Sequence, residues 1–107
     1  MAGLMENMRK AQEEAARVQV ELSNAEFDGY SSDETVRVVM SGSQEPRSVD
    51  ITEEAYAQGA DKLSALVQEA MKDAHAKSVE GMKTRMKEMA TSLAVLATVP
   101  FTTSFTR

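Results

Sequence analysis

The stretch ADKLSALVQEAMKDAHAKSVEGMKTRMKEMATSLAVL, residues 60–96, decides how this chain is read. Its apolar residues recur at helical spacing from end to end. Leu63, Leu66, Val67, Ala70, Met71 and Ala74 form a stripe in the first half, and Met82, Met86, Met89, Leu93 and Leu96 continue it in alternating steps of four and three. At ~1.5 Å rise per residue, one helix over this span is roughly 55 Å long, about twice the diameter of a compact domain of this size. Part of it is therefore expected to project from the body or to pack against a second copy of the chain. The upper half has the pattern of a coiled-coil seam.

Outward from that helix, residues 3–24 carry Leu4, Met8, Ala11, Ala15, Val18, Leu22 and Ala25 in steps of four and three, which predicts a first helix packed on the long one. Glu6 and Lys10, and Glu13 and Arg17, stand four apart in the order that favours surface pairing. From Ala25 the period changes to two. Residues 26–30, 35–41 and 47–51 read as three short strands, with Phe27, then Val36, Val38 and Met40, then Val49 and Ile51 each on one face. The intervening SSDE (31–34) and SGSQEP (41–46) are turn chemistry, where Gly42 is expected to take positive φ and Pro46 to enter a strand. An antiparallel meander follows, and Val39, opposite in phase to Val38, predicts that both faces of the middle strand are covered, one by helix and one by a partner. Val36, Val38, Met40, Val49 and Ile51 are thus expected in the core or at a dimer contact. Thr52 is placed to cap a short helix that Gly59 closes. Pro100 marks the latest expected end of the long helix, and residues 94–107 are read as ending in a mobile tail.

The expected fold class is α+β: N-terminal helix, three-stranded antiparallel meander, short helical turn and long C-terminal helix, in one domain over residues 1–107. At 42% hydrophobic residues the chain can fold, but a core of this size gains from oligomerisation. There is no cysteine and one histidine, His75, so disulfides, thiolate metal sites and histidine clusters are excluded. No cofactor is expected. No apolar run is long enough to span a bilayer and no signal peptide is evident, so membrane insertion is not expected.

Catalysis finds little support. Glu13/Glu14 and Glu53/Glu54 are adjacent pairs that point different ways on a helix, and the five glycines are scattered singly, which leaves no phosphate loop. The charge distribution is more informative. The net charge is −5, yet residues 1–70 hold 6 basic and 14 acidic side chains, whereas residues 71–107 hold 6 basic and 3 acidic. The long helix is the basic part of an acidic protein. At ~100° per residue, Lys72, Lys83 and Lys87 fall within roughly 60° of one another, a cationic ridge on the side away from the methionine seam. Such a ridge suits phosphate contact, although Asp73 with Lys77 and Glu80 with Lys83 are spaced for simple surface pairing.

Taken in order, these elements together with MRKAQEE (8–14), VRVVMSG (36–42), VDI (49–51) and LVQEAMKDAH (66–75) resemble the YbaB/EbfC family of nucleoid-associated proteins, over about residues 4–93. EFDGY (26–30) and KDAHAKSV (72–79) look most like its plastid branch, with cyanobacterial members next. The resemblance implies a tweezer-shaped homodimer, joined through its sheets, that binds double-stranded DNA with little sequence preference through projecting helices. It places DNA contact on Arg9, Lys10 and Arg17 of the first helix and Lys83, Arg85 and Lys87 of the last, to which the ridge adds Lys72. It implies a plastid stroma or nucleoid location, reached with a transit peptide, or else a bacterial cytoplasm. SSDE (31–34) stands where relatives commonly carry a glycine-rich hairpin, and with the acidic balance it predicts weak, salt-sensitive DNA binding. The alternative is an adapter that binds other proteins, for plastid membrane-protein biogenesis or targeting, through the Met-rich helical surface.

Overall fold

The structure, a computed structural model, describes the backbone from Ala2 to Phe105 and the side chains of residues 3–93. The elements follow in the order α1 (Ala2–Asn24), β1 (Glu26–Tyr30), β2 (Val36–Ser41), β3 (Pro46–Ile51), α2 (Glu53–Ala57) and α3 (Ala60–Phe105). The α+β class and element order agree with the periodicities, and each strand lies within a residue of its expected span. The molecule measures 65 × 28 × 14 Å, and its long dimension follows from the 46 residues of α3, roughly 69 Å at helical rise. Helix α3 runs through Pro100 to Phe105, beyond the end expected from the sequence. One proline removes a single backbone donor and so bends a helix as readily as it stops one. The tail expected to be mobile, residues 94–107, lies outside the residues whose side chains are described.

The sheet is an antiparallel meander in the order β1-β2-β3. Gly29 pairs with Val38 and Val38 with Val49, so Phe27, Gly29, Val36, Val38, Met40, Val49 and Ile51 share the face toward α3. A register shift after Val39 brings Met40 opposite Pro46. The core is the contact of Val36, Val38 and Met40 with Leu66, Ala70 and Ala74 of α3 and Ala55 of α2, flanked by Leu63 and Val67. Helix α3 lies over β1 and β2 only. Val49 and Ile51, expected in the core or at a dimer contact, therefore stay 43% and 46% exposed on the helix-side face of the edge strand. Val39 is buried within a single protomer, so its burial needs no second chain. On the outer face Arg37 bridges all three strands, bonding Asp28 at 3.0 Å and Asp50 at 2.9 Å.

Small residues let α3 ride close to the sheet. A methyl group on Gly29 would run into the backbone of Ala70 and Ala74, and one on Gly81 would strike the ring of Phe27. Carboxylates of α3 tie down the far end of β1: Asp73 accepts from the Tyr30 amide at 3.0 Å, and Glu69 from the amide and hydroxyl of Ser32 at 3.0 and 2.9 Å. Thr52 caps α2 by accepting from Ala55 N, and Gly59 closes it with φ 95°. Gly42, by contrast, does not take positive φ, and Gln44 does, at 64°. Gly42 is needed for approach instead: a Cβ there would meet the carbonyl oxygen of Leu22, which accepts from the Gly42 amide at 2.8 Å. The same hairpin is held to α3, where Ser78 Oγ donates to the Ser41 carbonyl at 2.6 Å and accepts from Gln44 Nε2 at 3.1 Å.

Candidate nucleic-acid interface

With the β2–β3 turn anchored to both helices, α1 leaves the sheet beside α3 and antiparallel to it. Val18 and Leu22 are buried where the two helices meet. Level with them Arg85 faces Glu21, and one turn beyond Val18 it faces Glu14, where the helices flank a groove of about 440 Å³ whose lining includes Met8, Lys10, Ala11, Arg17, Ser92 and Leu93. The predicted seam of α1 therefore closes only in its C-terminal half. Leu4 and Met8, its outer members, are 62% and 57% exposed, and Ala15 is exposed as well.

The expected cations divide into two groups. Lys72, Lys83 and Lys87 are exposed on α3 and Lys10 is exposed on α1, and none makes an ion pair among the described residues. Lys72 to Lys87 covers roughly 22 Å of helix axis. The three arginines are all engaged. Arg9 pairs with Glu6 and with Glu13, the latter at 2.6 Å, and Arg17 pairs with Glu14. These replace the Glu6–Lys10 and Glu13–Arg17 pairs that the spacing suggested, because on α1 the arginines reach carboxylates on their own stripe first. Arg85 is held by Glu21 through Nε at 2.5 Å and Nη2 at 3.2 Å, with Glu88 at 3.6 Å and Glu14 at 4.0 Å. Its hydrogen bond to Glu21 raises the guanidinium above its ordinary pKa and lowers the Glu21 carboxyl. The Arg9 guanidinium is raised likewise by Glu6 and Glu13.

Lys77, a cation that the sequence reading left to surface pairing, does pair with Asp73 at 3.0 Å, and it also donates to the Asp28 carbonyl and lies 5.7 Å from the Tyr30 ring centre. Glu80 and Lys83, also spaced for pairing, are not joined, which leaves Lys83 on the ridge free. The link between Glu21 and Arg85 joins residues 64 apart and had no signal in the sequence. His75 is exposed. Among the described residues no group of three or more histidine, aspartate or glutamate side chains is arranged to hold a metal, and no helix is long and apolar enough to cross a membrane.

Comparison with known proteins gives this arrangement its context. The YbaB/EbfC DNA-binding family matches residues 1–93. A chloroplastic nucleoid-associated protein of Arabidopsis thaliana is 55% identical over 97 residues, covering 87% of this chain and 53% of the relative. The chain thus spans about half the length of that relative, and of a second Arabidopsis one at 54% identity. A nucleoid-associated protein of the cyanobacterium Rippkaea orientalis is 48% identical, covering 84% of this chain and 82% of the relative. In structure, an uncharacterized protein of Helicobacter pylori matches with TM-score 0.71 over 81% of this chain and 92% of that one, at 15% identity, a likeness of fold alone. The chain belongs to the YbaB/EbfC DNA-binding family, whose members are not enzymes.

Proposed function

We propose that the chain is a nucleoid-associated protein of a plastid or bacterial nucleoid that binds double-stranded DNA as a homodimer with little sequence preference. The observation that carries the reading is the row of Lys72, Lys83 and Lys87, exposed and free of carboxylate partners on one side of a helix that runs on past the sheet. Lys10 adds a cation on the neighbouring arm. An ammonium group is a point charge that follows phosphates without reading base edges, so affinity is electrostatic and nearly independent of sequence. Arg9, Arg17 and Arg85 already share their charge with glutamate partners, so they are weaker candidates for phosphate contact than the free lysines. Dimerisation is supported by Val49 and Ile51, an apolar pair left 43% and 46% exposed on an edge strand.

The test is a salt titration of binding to unrelated duplexes. Each lysine that neutralises a phosphate steepens the fall of log K with log salt by about 0.9. The double substitution Lys83→Glu and Lys87→Glu is expected to weaken binding at low salt at least about tenfold and to flatten that slope by about 1.8 per protomer. Parent-like affinity in the double variant sinks the proposal. The exposed apolar side chains of the outer helices, Leu4, Met5, Met8 and Met86, favour a second reading as an adapter for other proteins. The two separate in the same titration, since apolar capture of a protein persists at salt concentrations that release DNA.

A further inference from the structure

Arg85 is unlike the other cations of the outer helices. Its side chain is 26% exposed, against 58% for Arg9 and 69% for Arg17. It is the point at which charge crosses from α3 to α1: Nε and Nη2 both bond Glu21, Glu14 lies 4.0 Å from Nη2, and Glu88 of its own helix completes the ring. An isolated surface ion pair contributes little, but two-nitrogen geometry, partial burial and a network of carboxylates are the conditions under which one counts. A phosphate approaching this guanidinium meets three carboxylates around it, so the local field repels a polyanion.

Its place along the helices matters equally. On α1 the buried Val18 lies between Glu14 and Glu21, and the buried Leu22 lies just inward of Glu21. Outward of Arg85 lies the groove between Met8, Ala11, Ser92 and Leu93, where apolar contact is incomplete and Met8 is mostly exposed. The Arg85 cluster is the outermost polar tie between the helices among the described residues, and the groove between the outer arms begins beside it.

We propose that Arg85 is a positioning residue and not a phosphate contact: by clasping Glu21 and Glu14 it sets the gap between the two arms, and with it the spacing of Lys10 from Lys83 and Lys87. This rests on the DNA-binding reading above and assigns Arg85 a role within it. A strut and a phosphate ligand differ in what their removal does. Removing a ligand lowers the salt slope, whereas removing a strut spreads the arms, weakens binding and leaves the slope in place.

The chain has no cysteine, so Gln12→Cys and Ala90→Cys, both at exposed positions, put one spin label on each helix. The labelled protein is diluted with unlabelled protein so that distances within a protomer dominate. Arg85→Gln, and separately Glu14→Gln with Glu21→Gln, are expected to lengthen and broaden the distance between labels, while Lys87→Gln leaves it as in the parent. In DNA titrations Arg85→Gln is expected to weaken binding by up to about tenfold at unchanged salt slope, and Lys87→Gln to lower the slope by about 0.9 for each phosphate left without its lysine. An unchanged label distance in both strut variants overturns the proposal. So does a fall in slope in Arg85→Gln equal to that in Lys87→Gln, or spread arms with undiminished affinity. If Lys87→Gln leaves the slope untouched, it is the phosphate-tracking reading that fails, and the label distances still decide whether Arg85 joins the arms.

Discussion

Single atoms decide how closely α3 approaches the sheet. Gly29 faces the backbone of Ala70 and Ala74 with no room for a methyl group, and the obstacle is helix backbone, which cannot turn aside as a side chain can. Gly29→Ala is therefore expected to destabilise the protein by about 3 kcal/mol, at the upper end for overpacking, as measured by denaturant unfolding. A change below about 1 kcal/mol means that β1 and α3 part more easily than their packing implies. The pairing of small residues across this contact was only half visible beforehand. Ala70 and Ala74 stood out as part of an apolar stripe, but nothing in the sequence marked Gly29 as their counterpart, because the period of a strand and the period of a helix are independent until the two are docked. Gly42 shows the same gap from the other side: its freedom was expected to serve a left-handed turn, and what the fold uses is its lack of a side chain beside Leu22.

At the scale of elements, the turn between β1 and β2 replaces conformational freedom with hydrogen bonds. Glu34 sits at φ 63°, a region that favours glycine. The turn is held by Asp33 Oδ1, which accepts from Ser31 Oγ at 2.8 Å, Thr35 Oγ1 at 2.7 Å and Thr35 N at 3.1 Å. These donors, led by the Thr35 and Ser31 hydroxyls, lower the Asp33 pKa from 3.8 to about 2. A carboxylate whose folded value lies below its unfolded one binds its proton later in the folded state. Its contribution to stability is complete above about pH 4 and disappears as the pH falls through about 2. Asp33→Asn is expected to flatten the pH dependence of unfolding in that window and to leave the dependence above it unchanged, which acid titration by circular dichroism checks. An identical acid limb in parent and variant means that the turn does not depend on the charge. The serine, aspartate and glutamate of this turn were legible as turn residues, and the hydrogen bonds that hold it follow from side-chain chemistry two to five residues apart.

The whole molecule is a small α+β body from which two helical arms extend, one reaching most of the 65 Å length. Strand β3 closes nothing: its six residues are all exposed, and Val49 and Ile51 face the helix side without a helix above them. A protomer of this shape leaves apolar area exposed, and the proposed dimer uses it together with the main-chain hydrogen bonds that an edge strand offers. Sedimentation is expected to give a particle of about twice 11.7 kDa for the parent. Val49→Asp with Ile51→Asp is expected to give a single chain of unchanged far-UV circular dichroism, since neither residue belongs to the protomer core. A parent that sediments as one chain at working concentration rules out the dimer through β3.

Local periodicity by itself determined the elements here: the switch from a 3.5-residue to a two-residue repeat at Ala25, the Thr52 cap and the unbroken stripe of α3 depend only on neighbours a few positions away. It also determined that the last helix is the basic part of the chain and that Lys72, Lys83 and Lys87 share a side. Only the tertiary structure decided which cations remain available. Arg85 meets Glu21 across 64 residues, and Val49 and Ile51 share a face with the core while α3 passes over the other two strands. The reason is physical. A repeat states which side of an element is apolar or charged, whereas an ion pair or an uncovered strand depends on where a second element comes to rest, and that is set by the fit of Gly29 to Ala70 and Ala74 and of Gly42 to Leu22.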